Sequence, residues 1–507
     1  MRSVFKTHYL LFVALLVVTS CDGLNSVKPK DFYNPKNFFN TENEVESAVN
    51  GIYASVYQND GGRWMQNGAF ATDNQYSPPY VPFQRQHALD EYTFNAGNQD
   101  IGELWTAFYK AVNRANLVTN NISDADIDPE RRDSFLGEAR FMRAWHYFML
   151  VKNFGGVPLI LNDNLGERDI NVESATPEEV YSQIIEDLEA AEEGIKNDRP
   201  EGHATAGTAS SYLAKVYLRL ASEQKNNVFP DRSYNRSAQE YYSLAADKAK
   251  QVIDSGQYGL FDDFQDNFNV DTENGKEHIF STQFSRAQQA HVLNLIGFPQ
   301  ECGLLPITPF AEFIPTLDVF QAYQESDYRR EVTFLTECTS DEGEELTFED
   351  FSAPVPHNAK WFNPNYSDVL RNRDLNIPRM RYSEVLLIYA EALNELGRTD
   401  EAYEFINMVR ERARNGDPTS EPQDIPSGSL SQDEFREAVF KERRLEFAFE
   451  GIRRDDMVRS GRLTEILCSG GPNVNGCENV QDFHVVFPIP ARELNLNPEL
   501  EQNRGYN

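Results

Sequence analysis

Between residues 382 and 414 the chain reads YSEVLLIYAEALNELGRTDEAYEFINMVRERAR, and this stretch constrains the fold more than any other. Apolar and small residues recur there at the spacing of one helix face, on either side of Gly397. The pattern predicts two helices with the glycine turning the chain between them. A second pair, TASSYLAKVYLRLAS and YYSLAADKAKQVIDSGQY, repeats the arrangement within 205–255. A two-helix unit cannot bury its apolar face alone, so such hairpins predict a stack in which each covers the next.

Ala390, Leu393, Gly397 and Ala402 fall much as they do in a tetratricopeptide repeat, with small residues where helices approach closely. Capping signals mark further helix starts. Thr41 with Glu44, Thr176 with Glu179 and Ser431 with Glu434 each form the pattern in which a side-chain pair satisfies the first backbone donors of a helix. Pro177 occupies the first helical position, where proline is tolerated. Residues 131–154 read as one long helix stopped by Gly155, Gly156 and Pro158. In that helix Phe141, Trp145, Phe148 and Met149 recur at core spacing, and His146 and Trp105 read as packed residues. The expected class is all-α, a tetratricopeptide-like helical-repeat scaffold with a few short strands. Its helices fall mainly in 37–58, 102–255 and 381–461. Segments 59–101 and 261–380 are rich in Gly, Pro, Asn and aromatics with little helical period. They read as long irregular insertions, the places where a rigid scaffold carries function.

The N-terminus locates the chain. A basic start (Arg2, Lys6) and ten apolar residues, Tyr9 to Val18, lead through Thr19 and Ser20 to Cys21. The run is about half the roughly 20 residues a membrane span requires. It has the layout of a secretory signal peptide. Ending on cysteine, it resembles a bacterial lipobox, with Val18 where leucine is more usual. The expected division is a lipoprotein signal peptide at 1–20, a tether at 21–36, and one domain at 37–507. The five cysteines agree with this. With Cys21 lipidated, Cys302, Cys338, Cys468 and Cys477 remain, in two neighbourhoods that could each close a bridge in an oxidising compartment. Their connectivity stays open.

Lys and Arg number 47 against 80 Asp and Glu, a net charge of −33. A polyanionic partner such as nucleic acid is disfavoured. The acidic run SDEGEELTFED at 340–350 reads as solvated charge. No G-x-S-x-G, H-E-x-x-H, C-x-x-C, G-x-G-x-x-G or P-loop occurs, and the eight histidines are scattered. A glycosidase carboxylate pair is not excluded, because so many acidic residues make some pairing easy to find.

The segments NFFNTENEVESAVNGIYASVY, LWTAFYKAVNRANLV, GEARFMRAWHYFMLVKNFGGVPLI, RYSEVLLIYAEALNELG, KERRLEFAFEGIRRDDMVRSG and FPIPARELNLNPELEQNRGY occur in that order. Together with the lipoprotein signal they resemble the SusD/RagB family of Bacteroidetes-type bacteria, over nearly the whole mature chain. Arg454 stands where the family usually has an aromatic, and Arg504 where it usually has proline. The resemblance implies an outer-membrane lipoprotein, facing the exterior, that caps a SusC-like TonB-dependent transporter. It implies capture of oligosaccharides, or in some members peptides, without catalysis and without a cofactor or metal.

Flat aromatic rings beside Asp, Asn and Arg suit sugars, whose apolar faces stack while their hydroxyls pair with polar groups. GGRWMQNGAFATDNQYSPPYVPFQRQ at 61–86 supplies Trp64, Asp73, Asn74, Tyr76, Tyr80 and Arg85, and HNAKWFNPNYSD at 357–368 adds Trp361. The charges of ERRLEFAFEGIRRDDMVR read instead as pairs that fix helix register. Two alternatives stand beside uptake: a lipid-anchored repeat adaptor for a protein partner, and a glycoside hydrolase.

Overall fold

The structure is a computed structural model and describes residues 38–60, 72–78, 84–162, 171–196, 201–287, 290, 293, 297–303, 312–363, 368–471 and 473–506. The signal segment, Cys21, Trp64 and Tyr80 lie outside the described residues.

The frame consists of α1 (Glu42–Asp60), α2 (Gln99–Asn121), α3 (Pro129–Phe154), α4 (Pro177–Gly194), α5 (Ala206–Lys225), α6 (Ala238–Asp254), α7 (Tyr382–Glu395), α8 (Thr399–Ala413), α9 (Gln432–Glu446) and the short α10 (Arg453–Arg459). From α1 to α8 each helix packs on the next in the chain, and α9 returns onto α7. The result is a run of stacked hairpins, the tetratricopeptide-like all-α arrangement that the spacing predicts. The stack continues from α6 to α7 although more than a hundred residues separate them in sequence, so the second insertion interrupts the chain and not the packing.

Local chemistry sets the helix ends. Thr41 N donates to Glu44 Oε2 at 2.9 Å ahead of α1, and reciprocal boxes join Thr176 to Glu179 and Ser431 to Glu434. Thr205 with Thr208 and Ser237 with Glu240 do the same for α5 and α6. Gly155 ends α3 at φ +73°, and Gly397 turns the chain between α7 and α8 at φ +75°, a region where a side chain is strained. From Phe141 to Val151 every residue of α3 is buried, the mark of a helix at the centre of a core. His146 belongs to that core. Burial pushes its imidazole down to about 4, and Nδ1 sits 2.6 Å from the Met142 carbonyl oxygen.

Strands are short. They include β1 (Gln75–Tyr76), β2 (His278–Thr282), β3 (Ile314–Pro315) and β4 (Ile377–Arg381), with β2 antiparallel to β4 and β1 antiparallel to β3. The β2–β4 ribbon is the neck of the second insertion. At its scaffold end Glu277 and Arg381 meet α9 in a buried ion network. Arg381 Nη1 donates to Glu277 Oε1 at 2.6 Å and to Glu446 Oε1 at 2.8 Å, while its Nε reaches Glu450 Oε2 at 2.9 Å. Arg412 on α8 pairs with Glu277 at 2.8 Å and with Glu446. Lys360 pairs with Glu450 at 2.9 Å, and Arg329 with Glu442 at 2.6 Å and Asp327 at 2.9 Å. Burial alone would raise the Glu446 carboxyl, but three guanidinium groups hold it well below the usual carboxylate range. Charges without water must be matched in this way, because an unpaired one costs several kcal/mol, on the order of 3–5.

Cys302 is bonded to Cys338 and Cys468 to Cys477. The first bond ties the 297–303 segment to an exposed hairpin, Glu337–Thr339 with Glu345–Thr347, whose connection carries the acidic run.

Candidate ligand-binding face

Two arginines on one stretch of the scaffold hold the first insertion. Arg453 on α10 grips the Asp73 carboxylate with two donors, Nε to Oδ1 at 2.8 Å and Nη2 to Oδ2 at 2.7 Å. Arg444 on α9 reaches the Asp73 carbonyl oxygen and the Asn74 Oδ1, both at 2.9 Å, and pairs with Asp318 at 2.7 Å. On the same helix, Arg443 faces inward to Asp456 at 2.9 Å and fixes α9 against α10. Burial pushes the Asp73 carboxyl up, yet Arg453 and Arg444 more than reverse this and leave it below the usual range.

The clamp places β1 beside the second insertion. Gln75 faces Pro315 and Tyr76 faces Ile314 across the β1–β3 pair. Thr316 adds two bonds, its N to the Asn74 carbonyl oxygen at 2.9 Å and its Oγ1 to that of Asp73 at 2.7 Å. The two irregular insertions, separated by well over a hundred residues of scaffold, therefore meet on one face.

The sequence-derived candidates divide there. Asp73, Asn74, Tyr76 and Arg85 lie in the described parts of this face, and Trp64 and Tyr80 fall outside the described residues. Asp73 is fully committed to Arg453 and Arg444, so it anchors and does not offer a carboxylate to a ligand. Tyr76 packs with Ile314, Ala353 and Val355, and burial with the Asp90 charge pushes its phenol up to about 12. Arg85 is half-buried and pairs with Asp100 at 3.0 Å. Trp361 is a correction: it is 2% exposed, inside the main core, with its ring edge-on to Phe268 at 5.3 Å. A tryptophan with no face in solvent cannot stack on a sugar. Composition misled because an aromatic, amide-rich loop has the same residues whether it lines a pocket or packs its own interior.

Polar groups that sequence reasoning missed sit next to this seam. Asp90, buried at the end of the short helix Gln84–Asp90, accepts from Ser77 N at 3.2 Å and from Asn475 Nδ2 at 2.6 Å. Burial pushes its carboxyl up to about 7 against these two donors. Asn475 belongs to the loop closed by Cys468–Cys477, so that bridge holds a partner of the face. Asn74 Nδ2, Ser77 Oγ and Gln86 Oε1 are buried with no hydrogen-bond partner among the described residues. Unsatisfied groups of this kind call for an explanation, and a polar ligand is one. Nothing in the local sequence around Asp90 or Asn475 sets them apart, whereas Arg444 and Arg453 stand in the charge-dense segment already singled out. Among the described residues no cluster of His, Cys, Asp and Glu is arranged to hold a metal, and no helix is long and apolar enough to cross a membrane.

Known proteins resemble this chain over its whole length. Residues 310–506 match the family model described as "SusD family", and residues 29–218 match one described as "Starch-binding associating with outer membrane". SusD-like protein P2 of Formosa agariphila is 30% identical over 532 aligned residues, 99% of this chain and 100% of that protein. A solved SusD homolog from Bacteroides thetaiotaomicron superposes with a TM-score of 0.80 at 23% identity, covering 92% of this chain and 98% of its own. Surface glycan-binding protein A from Bacteroides fluxus does so with a TM-score of 0.71 at 22% identity, covering 92% and 100%. At these identities the two solved structures establish the fold.

Proposed function

This chain belongs to the SusD family, and from that premise we propose that it is a surface lipoprotein, lipidated at Cys21, that binds a nutrient oligosaccharide and passes it unchanged to a partner TonB-dependent transporter. The observation that carries the reading is the β1–β3 seam, where two long insertions are stitched together beside three buried polar atoms that have no partner among the described residues. A rigid seam with orphaned donors and acceptors suits a hydroxyl-rich ligand, which supplies both kinds of partner at once. Relatives whose names or descriptions mention starch or glycan favour a saccharide over a peptide. A site beside a transporter needs little affinity, because holding cargo next to the barrel raises its effective concentration.

The test is gentle detergent extraction of a C-terminally tagged chain from native membranes, with mass spectrometry of what it retains and of Cys21. Recovery of a large β-barrel transporter with a lipidated Cys21 is the expected result. A soluble chain with unmodified Cys21 and no barrel would end the uptake reading and favour an adaptor.

A further inference from the structure

A cavity of about 930 Å³ lies between the loop after α3, the start of α4, the α5–α6 loop, the turn after α10 and the C-terminal segment, and among the described residues neither insertion contributes to its lining. We propose that this cavity is a second saccharide-binding site, separate from the insertion face, which takes a neutral sugar unit of a glycan chain.

The size lies in the range that holds a small organic ligand. The lining has the two chemistries a sugar ring needs. Phe229 and Phe483 supply aromatic surface, and Asn227 and Gln481 supply amides that both donate and accept. Glu178, in the first turn of α4, accepts from Asn235 N at 2.6 Å through Oε1, which ties the α5–α6 loop to the cavity wall. The exposed carboxylates of Asp231 and Asp482 supply the acceptors a hydroxyl can reach. Arg504 is exposed at the rim and has no ion pair among the described residues. It is also one of the two positions where the chain departs from the family pattern.

Charge narrows the ligand further. Arg232 is already tied to Glu223, and its guanidinium lies 3.8 Å from the Phe229 ring centroid. The stack fixes the α5–α6 loop, and the remaining charged lining residues are Arg504 and three carboxylates, Glu178, Asp231 and Asp482. Such a balance repels a phosphate or a carboxylate ligand. A purely apolar ligand would strip water from the exposed Asn227, Asp231, Gln481 and Asp482 without replacing it, at a cost that disfavours it. A neutral polyol fits both constraints.

Calorimetric titration of the full chain with maltoheptaose, laminarihexaose, cellohexaose, mannohexaose, xylohexaose and galactohexaose tests the proposal. Thr464→Trp, at an exposed lining position, intrudes on the cavity, and Gln481→Ala, which removes a lining amide, is the second variant should the first fail to fold. Trp64→Ala removes the tryptophan of the first insertion, the aromatic candidate that the sequence supplies there. The expected result is at least one oligosaccharide whose binding weakens about tenfold or more in the cavity variant and persists in Trp64→Ala. Binding that is unchanged in the cavity variants, or absent from the native chain with every sugar, overturns the proposal. If Trp64→Ala alone removes all binding, the cavity proposal fails while the insertion reading stands; the reverse pattern separates the two in the other direction.

Discussion

Arg453 and Asp73 face each other as a two-pronged pair, 2.8 and 2.7 Å, across 380 residues of sequence. This contact couples the last scaffold helix pair to the first insertion. Both side chains are nearly sealed from water, so the pair is set by geometry more than by the surrounding ions.

Removing one member should be far worse than removing both. Asp73→Ala leaves a buried guanidinium uncompensated and should cost about 3–5 kcal/mol in urea unfolding. Asp73→Leu combined with Arg453→Met should recover a substantial part of that loss. A single-variant cost below about 1 kcal/mol would show that the clamp does not hold the insertion.

Asp90 predicts an unusual pH slope. Its folded-state carboxyl titrates near 7 and its unfolded value is about 3.9, so between these limits the folded chain holds a proton that the unfolded chain has lost. Stability contributed by this group therefore falls as pH rises through that window and levels off above it. Asp90→Asn should gain stability over the native chain on going from about pH 5 to about pH 8, on the order of a few kcal/mol at about 1.4 kcal/mol per unit. Urea midpoints of the two proteins at both pH values check this, and parallel curves would remove Asp90 as the source.

Replacing Cys468 and Cys477 by serine opens a loop of 9 residues separation and should cost about 2–3 kcal/mol. Because that loop presents Asn475 to Asp90, and this donor holds the carboxyl down against burial, its loss should raise the Asp90 carboxyl further and extend the pH slope to higher pH. Denaturation of the variant at two pH values reads both effects.

Trp361→Ala should behave as a core truncation, losing about 3–5 kcal/mol of stability with saccharide affinity of the folded fraction unchanged. A selective loss of affinity at native stability would return Trp361 to the ligand face.

Gly397→Ala isolates backbone strain, since nothing lies within 4 Å of the added carbon and only the +75° φ opposes it. Thermal unfolding should report a loss of about 1–2 kcal/mol. No change would mean that the α7–α8 turn relaxes.

What was legible in the sequence was local. Thr41, Thr176 and Ser431 announce their helices because a cap and its partner are three residues apart, and the 382–414 hairpin because its period lies within one window. The joining of Asp73 to Arg453, or of Glu277 to Arg381 and Arg412, depends on how the stack brings distant segments together, and no pattern in either segment encodes the partner. Tyr76 and Trp361 failed as exposed candidates for the same reason: a loop's composition does not say which of its rings turn inward.

The sealed ion network around Arg381 has a consequence for where this chain can live. A surface pair at physiological ionic strength is screened over about 8 Å, but screening needs mobile ions between the charges, and Arg381, Glu277 and Glu446 admit almost no solvent. The acidic exterior of a chain whose net charge is −33 must respond to every change in salinity, while the interior lattice stays blind to it. A coat that senses brine over a skeleton that does not lets solubility drift with the medium and leaves the architecture in place.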